Sequence, residues 1–226
     1  MFSLPELLPE KIIEKAKKLN TPILADSLGF SYSMDYKINP IRSGMKMVGT
    51  ALTVNMAPGD NLFLQQAIHL GKEGYILVAD GKDHRERAYF GGLMGRATKA
   101  RGIEGVVIDG LIRDKKELLE LNLPVFAKGF IPNGPFKNGP GEIGTPISCG
   151  NVPVNPGDLI FGDDDGVVCI PRKNVEYILD KASEELNYEK NRVKTIDNYV
   201  KTKEQGLKPN SIEPSWLKEK MKKFID

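Results

Sequence analysis

Apolar and polar positions along the chain fall into short periodic segments. "LPEKIIEKAKKL" spaces its apolar residues at the helical interval behind Pro9, a residue suited to a helix start. "TPILADSLG" predicts a second short helix, capped by Thr21 and stopped by Gly29. "MVGTALTVNM" is rich in β-branched residues and predicts a strand. A helix over "APGDNLFLQQAIHLGKEG" follows, with Asp60 as its cap. Strands "YILVAD", "GVVIDG" and "PVFAKG" then alternate with helices over "GGLMGRATKARG" and "DKKELLEL". Such alternation is the signature of βαβ units and a mostly parallel sheet.

The pattern changes near Ile131. "IPNGPFKNGPGEIGTP" is dense in Gly and Pro and predicts a loop. "PISC", "VPV", "DLIFGD" and "GVVCIP" predict short strands forming a small antiparallel layer laid on the α/β part. Arg172 to about Gln205 is one helical pattern, then "GLKPNSIEP" breaks it, and "SWLKEKMKKF" predicts a short basic helix capped by Ser215. Val175, Leu179, Ala182, Leu186, Val193, Ile196 and Val200 share one face of the long helix, and Glu189 stands on that face. The expected organisation is one α/β domain over residues 1–171 with residues 172–226 as its helical arm.

Composition narrows the function classes. At 226 residues and 40% hydrophobic, the chain has material for a substantial core. Its 32 basic and 30 acidic residues leave +2, without the basic excess of a nucleic-acid binder. No apolar run approaches the roughly 18 residues of a membrane helix, and "MFSLPELLPEKIIEK" is not a secretory signal, so a cytoplasmic setting with no membrane partner is expected. Cys149 and Cys169 have neither metal nor redox spacing and are expected to be buried thiols.

The chemistry concentrates in "VVIDGLIRD" and the glycines before it. Arg113 and Asp114 follow a predicted strand, at the sheet edge where open α/β folds bind ligands. Gly91 and Gly92 precede Leu93 and Met94 at a predicted helix start, whose first N–H groups have no partner within the helix and suit a carboxylate. Arg113 offers a two-bond grip on a carboxylate, and Asp114 is a hard oxygen ligand suited to Mg²⁺. Together they would bind a small 2-oxo acid, although an adjacent Arg and Asp also occurs as an ordinary turn with a surface ion pair. His84, Glu86 and Asp83 sit just ahead of the glycines, either at the rim of such a site or as proton carriers. His69 is expected to be structural, Asp26 cannot be placed, and "GDDDG", residues 162–166, is a turn lacking the spacing of a calcium loop.

"GGLMGRATKARGIEGVVIDGLIRD" resembles the signature segment of the RraA-like family, which includes the regulator of ribonuclease E activity and class II 4-hydroxy-4-methyl-2-oxoglutarate aldolases. "APGDNLFLQQAI" and "NGPGEIGTPISCGNVPVNPGDLIFGDDDGVVCIPR" extend the resemblance over about Thr21 to Glu204. It implies a swivelling β/β/α fold with a long C-terminal helical arm, trimers or dimers of trimers, and an active site between subunits. It also implies Mg²⁺ or Mn²⁺ at Asp114, held mostly through water. Arg113 and the backbone at Gly92, Leu93 and Met94 would hold pyruvate or oxaloacetate, and Glu189 is the residue that would reach a neighbour's metal waters. One departure stands out: the aldolases carry Asp where this chain has Gly92. That predicts oxaloacetate decarboxylation ahead of aldol cleavage, unless Glu86 or His84 from the preceding loop replaces the lost group. The alternative is a non-catalytic regulator that binds a ribonuclease or helicase.

Overall fold

The computed structural model describes residues 3–29 and 31–225. The order is α1 (Glu10–Ala16), α2 (Thr21–Leu28), β1 (Asn39–Pro40), β2 (Met47–Met56), α3 (Leu62–Leu70), β3 (Tyr75–Asp80), β4 (Ala88–Phe90) and α4 (Gly92–Ala100). Then come β5 (Gly105–Ile112), α5 (Lys115–Glu120), β6 (Val125–Phe130), β7 (Gly141–Ile143), β8 (Ile147–Cys149), β9 (Val152–Val154), β10 (Leu159–Asp163) and β11 (Gly166–Ile170). A 3₁₀ turn over Arg172–Asn174 leads into α6 (Val175–Glu204), and α7 spans Ser215–Ile225.

Parallel pairing joins β2, β3, β5 and β6, as the alternation of the sequence requires, and the main sheet runs β1-β6-β5-β3-β2-β10-β11. β4 extends β5 beyond the end of β3, and β7 lies against the far end of β2. Alternate residues of these strands face opposite sides. Leu52, Leu77 and Ile108 pack on α3 and α5 through Leu64, Ile68 and Leu118. Ala51, Ile76, Val78 and Phe126 face the β8–β9 ribbon through Cys149, Val152 and Val154. Helices, sheet and ribbon thus form the β/β/α layering.

Three sequence expectations are revised. The predicted antiparallel layer reduces to the β8–β9 ribbon, because β10 enters the main sheet against β2 and carries β11 with it. Leu159, Ile160, Phe161 and Gly162 are all buried, so β10 needs cover on both faces, which an outer layer does not provide. The cap of α2 is Asn20, whose Oδ1 accepts from Ile23 N at 3.0 Å; Thr21 lies inside the helix and holds Asp163. Asn61 occupies the cap position of α3, while the Asp60 Oδ1 still accepts from Leu62 N at 2.9 Å.

The chain forms two compact units that divide between Ala182 and Ser183. In the first, Val175, Ile178, Leu179 and Ala182 of α6 are buried. In the second, Val193, Ile196 and Val200 continue the stripe and are exposed, and the Trp216 indole N–H donates to the Tyr188 hydroxyl at 3.2 Å.

Candidate functional site

Strand β5 carries the chain to the carboxyl edge of the parallel strands and ends at Ile112. There Arg113 N donates to Phe90 O at 2.9 Å, tying the start of the loop to β4. Asp114 follows in the left-handed region, φ 58°, and begins α5. For a residue other than glycine that conformation is costly, and such outliers collect at functional sites. It turns the Asp114 carboxylate onto the start of α4, where Oδ2 accepts from Gly92 N at 2.9 Å and lies 3.7 Å from Arg113 Nε.

Both glycines are explained by close approach. A Cβ on Gly91 would sit 2.5 Å from Asp114 Oδ2 and 3.0 Å from Arg113 Cγ. A Cβ on Gly92 would overlap the Glu117 carboxylate and lie 2.9 Å from its Cδ. Two carboxylates, Asp114 and Glu117, thus converge on the backbone of Gly92. Glu117 sets against Gly92 a carboxylate that residue 92 does not itself supply. The signal was present as Asp114-x-x-Glu117, one helical turn apart at the start of α5.

A cleft of about 130 Å³ opens here, with Leu93, Met94, Arg113 and Asp114 in its wall beside Asn61, Gln65, Tyr89 and Lys137. Four of the residues expected from the sequence are therefore brought together. The first intrahelical bond of α4 is Gly95 N to Gly91 O, so the N–H groups of Leu93 and Met94 precede it, while that of Gly92 is taken by Asp114. Asn61, Gln65 and Lys137 were not singled out from the sequence: Asn61 and Gln65 lie within "APGDNLFLQQAI", with no chemistry to mark them apart from it, and Lys137 lies in the Gly- and Pro-rich loop. Asn61 Nδ2 donates to Tyr89 O at 2.8 Å and its Oδ1 accepts from Gln65 Nε2 at 3.0 Å, which holds the wall rigid. Burial pushes the Tyr89 phenol up to about 12, and its hydroxyl bridges Gly59 N and Gly81 O.

The remaining candidates lie elsewhere. His84 is edge-on to Tyr89, with ring centroids 6.3 Å apart, and shares a separate cleft with Asp83, Arg85 and Lys128. Glu86, His84 and Glu117 are all absent from the residues that line the Arg113 cleft, and Glu117 stands instead against Gly92. His69 and Asp26 are exposed, and Asp163–Gly166 makes the β10–β11 turn. Glu189 belongs to the second unit and is exposed. Cys149 and Cys169 are buried free thiols, and burial pushes both well above the usual thiol range. Among the described residues, no cluster of three or more His, Cys, Asp or Glu side chains forms an all-protein metal cage, and no helix is long and apolar enough to cross a membrane.

Comparison with known proteins places the chain among relatives. Residues 21–169 match the RraA-like family, described as Aldolase/RraA. A protein of Halalkalibacterium halodurans named "Putative 4-hydroxy-4-methyl-2-oxoglutarate aldolase" is 37% identical over 188 residues, covering 83% of this chain and 90% of that one. The solved RNA-processing inhibitor RraA of Thermus thermophilis superposes with a TM-score of 0.62 at 27% identity, over 67% of this chain and 92% of that one. A Streptomyces coelicolor member of the RNase ES inhibitor RraA family shares the fold, with a TM-score of 0.74 at 24% identity over 82% and 96% of the two chains. On the family match, the relative and the fold together, the chain belongs to the RraA-like family.

Proposed function

We propose that the chain is a divalent-metal-dependent carbon–carbon lyase for small 2-oxo diacids, with oxaloacetate decarboxylation as its main reaction and 4-hydroxy-4-methyl-2-oxoglutarate cleavage as a second. The observation that carries the reading is the convergence of Arg113, Asp114 and Glu117 on the start of α4 beside a small cleft. Similarity to a relative named as an aldolase supports the lyase class.

Arg113 grips the substrate's C1 carboxylate, helped by the N–H groups of Leu93 and Met94. Lys137, in the same wall, offers a second cation for the distal carboxylate. Mg²⁺ or Mn²⁺ fits the donor set, because Mg²⁺ keeps several waters and uses one or two carboxylates, here Asp114 with Glu117 close by. When bound it polarises the 2-oxo group and stabilises negative charge on that oxygen. In decarboxylation the C3–C4 bond breaks, CO₂ leaves, and the electron pair passes into the enolate of pyruvate. Glu117 then relays a proton to C3 through water. In aldol cleavage the same carboxylate takes the proton from the C4 hydroxyl as the bond breaks.

The cleft is bordered by apolar surface: Leu93 is 82% exposed and Phe136, beside Pro135 in the wall, is 49% exposed. A neighbouring subunit is the natural cover, in a homotrimer or hexamer. In this assembly Glu189 of one copy serves the site of another. The regulator alternative draws on the RNA-processing inhibitors of like fold. The meeting of Arg113, Asp114 and Glu117 at one point favours the enzyme, since a protein-binding surface has no use for that set. Assaying both substrates with Mg²⁺ and with chelator separates the two, and no metal-dependent turnover of either would sink the lyase reading.

A further inference from the structure

The path from β5 to Arg113 contains an irregularity. Strands β5 and β6 pair in register from Val106–Val125 to Ile108–Ala127, and pairing resumes at Leu111–Gly129. Asp109 and Gly110 therefore stand against Lys128 alone, two residues against one, which is a bulge in a parallel pair. Its own residues clasp it. Lys128 Nζ lies 2.5 Å from Asp109 Oδ1, and Asp109 Oδ2 accepts from Gly150 N at 2.7 Å. Lys128 also pairs with Asp83 at 2.9 Å and Asp35 at 3.6 Å, and Gly150 O accepts from Asp35 N at 2.8 Å. On the other side, a Cβ at Gly110 would press within 2.9 Å of the Tyr89 ring, and Tyr89 lines the cleft.

Lys128 and Asp109 side chains are each only 9% exposed. Taking two charges out of water is costly, and an apolar pair of similar volume is often as stable or more so. Stability alone is thus a weak reason for an ion pair here. Register is a stronger one. Side chains along a strand alternate with period two, so one residue more or less turns every later side chain to the opposite face. The residues directly after this bulge are Leu111, Ile112, Arg113 and Asp114. With the bulge in place Ile112 is buried and Arg113 enters the cleft.

We propose that Asp109 and Lys128 are positioning residues that hold the two-against-one register of β5 on β6 and so aim Arg113 and Asp114 into the cleft. The proposal rests on the reading of that cleft as the active site. Both residues act through the strand and touch no substrate.

The test uses the full chain with three variants. Asp109→Asn keeps an acceptor for Gly150 N but removes the charge. The double variant Asp109→Asn/Lys128→Met removes both charges. Ile160→Ala is a core control on β10. Readouts are melting temperature, kcat and KM for oxaloacetate with Mg²⁺ below all melting points, and the Nε–H NMR signal of Arg113, assigned by its loss in Arg113→Lys. Asp109→Asn should lower kcat roughly 10- to 100-fold, in the range that misplacement of a catalytic group produces, and should shift the Arg113 signal. The double variant should regain melting temperature without regaining kcat or the signal position. Ile160→Ala should melt lower with both unchanged. If the double variant recovers activity with stability, or Asp109→Asn leaves the Arg113 signal in place, the pair is only structural and the proposal falls. The NMR signal decides this even if the wild type proves inactive on oxaloacetate, an outcome that would overturn the active-site reading instead.

Discussion

Replacing Gly92 by Ala probes the two carboxylates with a single methyl group. The new Cβ would overlap the Glu117 carboxylate, 2.9 Å from Cδ and 3.1 Å from Cβ, so the Glu117 side chain must swing away. That swing is open to it, because the side chain is 51% exposed and its nearest cation, Arg96, is 4.0 Å away. Gly92 lies on the first turn of α4, and alanine is a better helix former by about 1 kcal/mol. That gain offsets the remaining crowding at Glu117 Cβ, so the net change in stability should stay within about 1 kcal/mol. Activity should not be spared. A positioned acid or base contributes roughly 10²- to 10⁴-fold, and the displaced carboxylate forfeits most of that. Glu117→Gln keeps the shape and loses the proton carrier, so it should fall by a similar factor at an unchanged melting temperature. Gly92→Asp with Glu117 intact should also lose activity, because both carboxylates claim one place, whereas Gly92→Asp/Glu117→Ala should recover part of it. The assay is kcat/KM for oxaloacetate at saturating Mg²⁺, beside the thermal melt. Gly92→Ala or Glu117→Gln within about threefold of wild type would refute the role given to Glu117.

Other outcomes follow from the same geometry. Arg113→Lys should lose at least about 10²-fold in kcat/KM, since lysine cannot make the planar two-bond grip; a merely twofold rise in KM would contradict it. Light scattering at micromolar protein should give the mass of a trimer or hexamer, and a monomer would remove the shared-site reading of Glu189. Ionic pairing around Lys128 should show in pH-dependent stability. Burial lowers its ammonium, but the hydrogen bonds to Asp109 and Asp83 outweigh that and raise it from 10.5 to about 12. A raised pKa contributes stability that is complete below 10.5 and lost as pH climbs through 12, on the order of 2 kcal/mol. Hydrogen bonds from Arg85 first, then Lys128, hold Asp83 down to about 2, so its contribution is present above 3.8 and lost as pH falls through 2. Unfolding free energies of wild type minus Lys128→Met should be flat between about pH 4 and about pH 10 and decline below 3.8 and above 10.5; a difference independent of pH would contradict the pairing.

The parallel core and its site loop were legible because they are local. Strand β5 shows as an apolar run, and Arg113 and Asp114 follow it directly, so topology alone delivers them to the sheet edge. Leu93 and Met94 were found for the same reason, at the start of the helix after two glycines. Residues that close the site from a distance were not legible. Lys137 comes from the Gly- and Pro-rich loop and Asn61 from the start of α3, and only the packed chain puts them in one wall. Strand β4 is three residues long and carries no periodicity to detect. The bulge at Asp109 left no sequence mark beyond Asp-Gly, which reads equally as a turn. Glu117 was hidden differently: on a helix surface a lone glutamate is ordinary, and its meaning depends on the glycine facing it.

The central claim is that Asp114 serves a metal-dependent lyase. Its most direct test is the rate of CO₂ release from oxaloacetate, with Mg²⁺ and with chelator, for wild type beside Asp114→Asn. Asparagine tolerates the left-handed backbone at 114 and still offers Gly92 N an acceptor, so the fold should be preserved. The expected result is Mg²⁺-dependent release by the wild type, abolished by chelator, and loss of the Mg²⁺-dependent part in Asp114→Asn at a matching melting temperature. Release by Asp114→Asn within a few-fold of wild type, at equal Mg²⁺, would contradict the account.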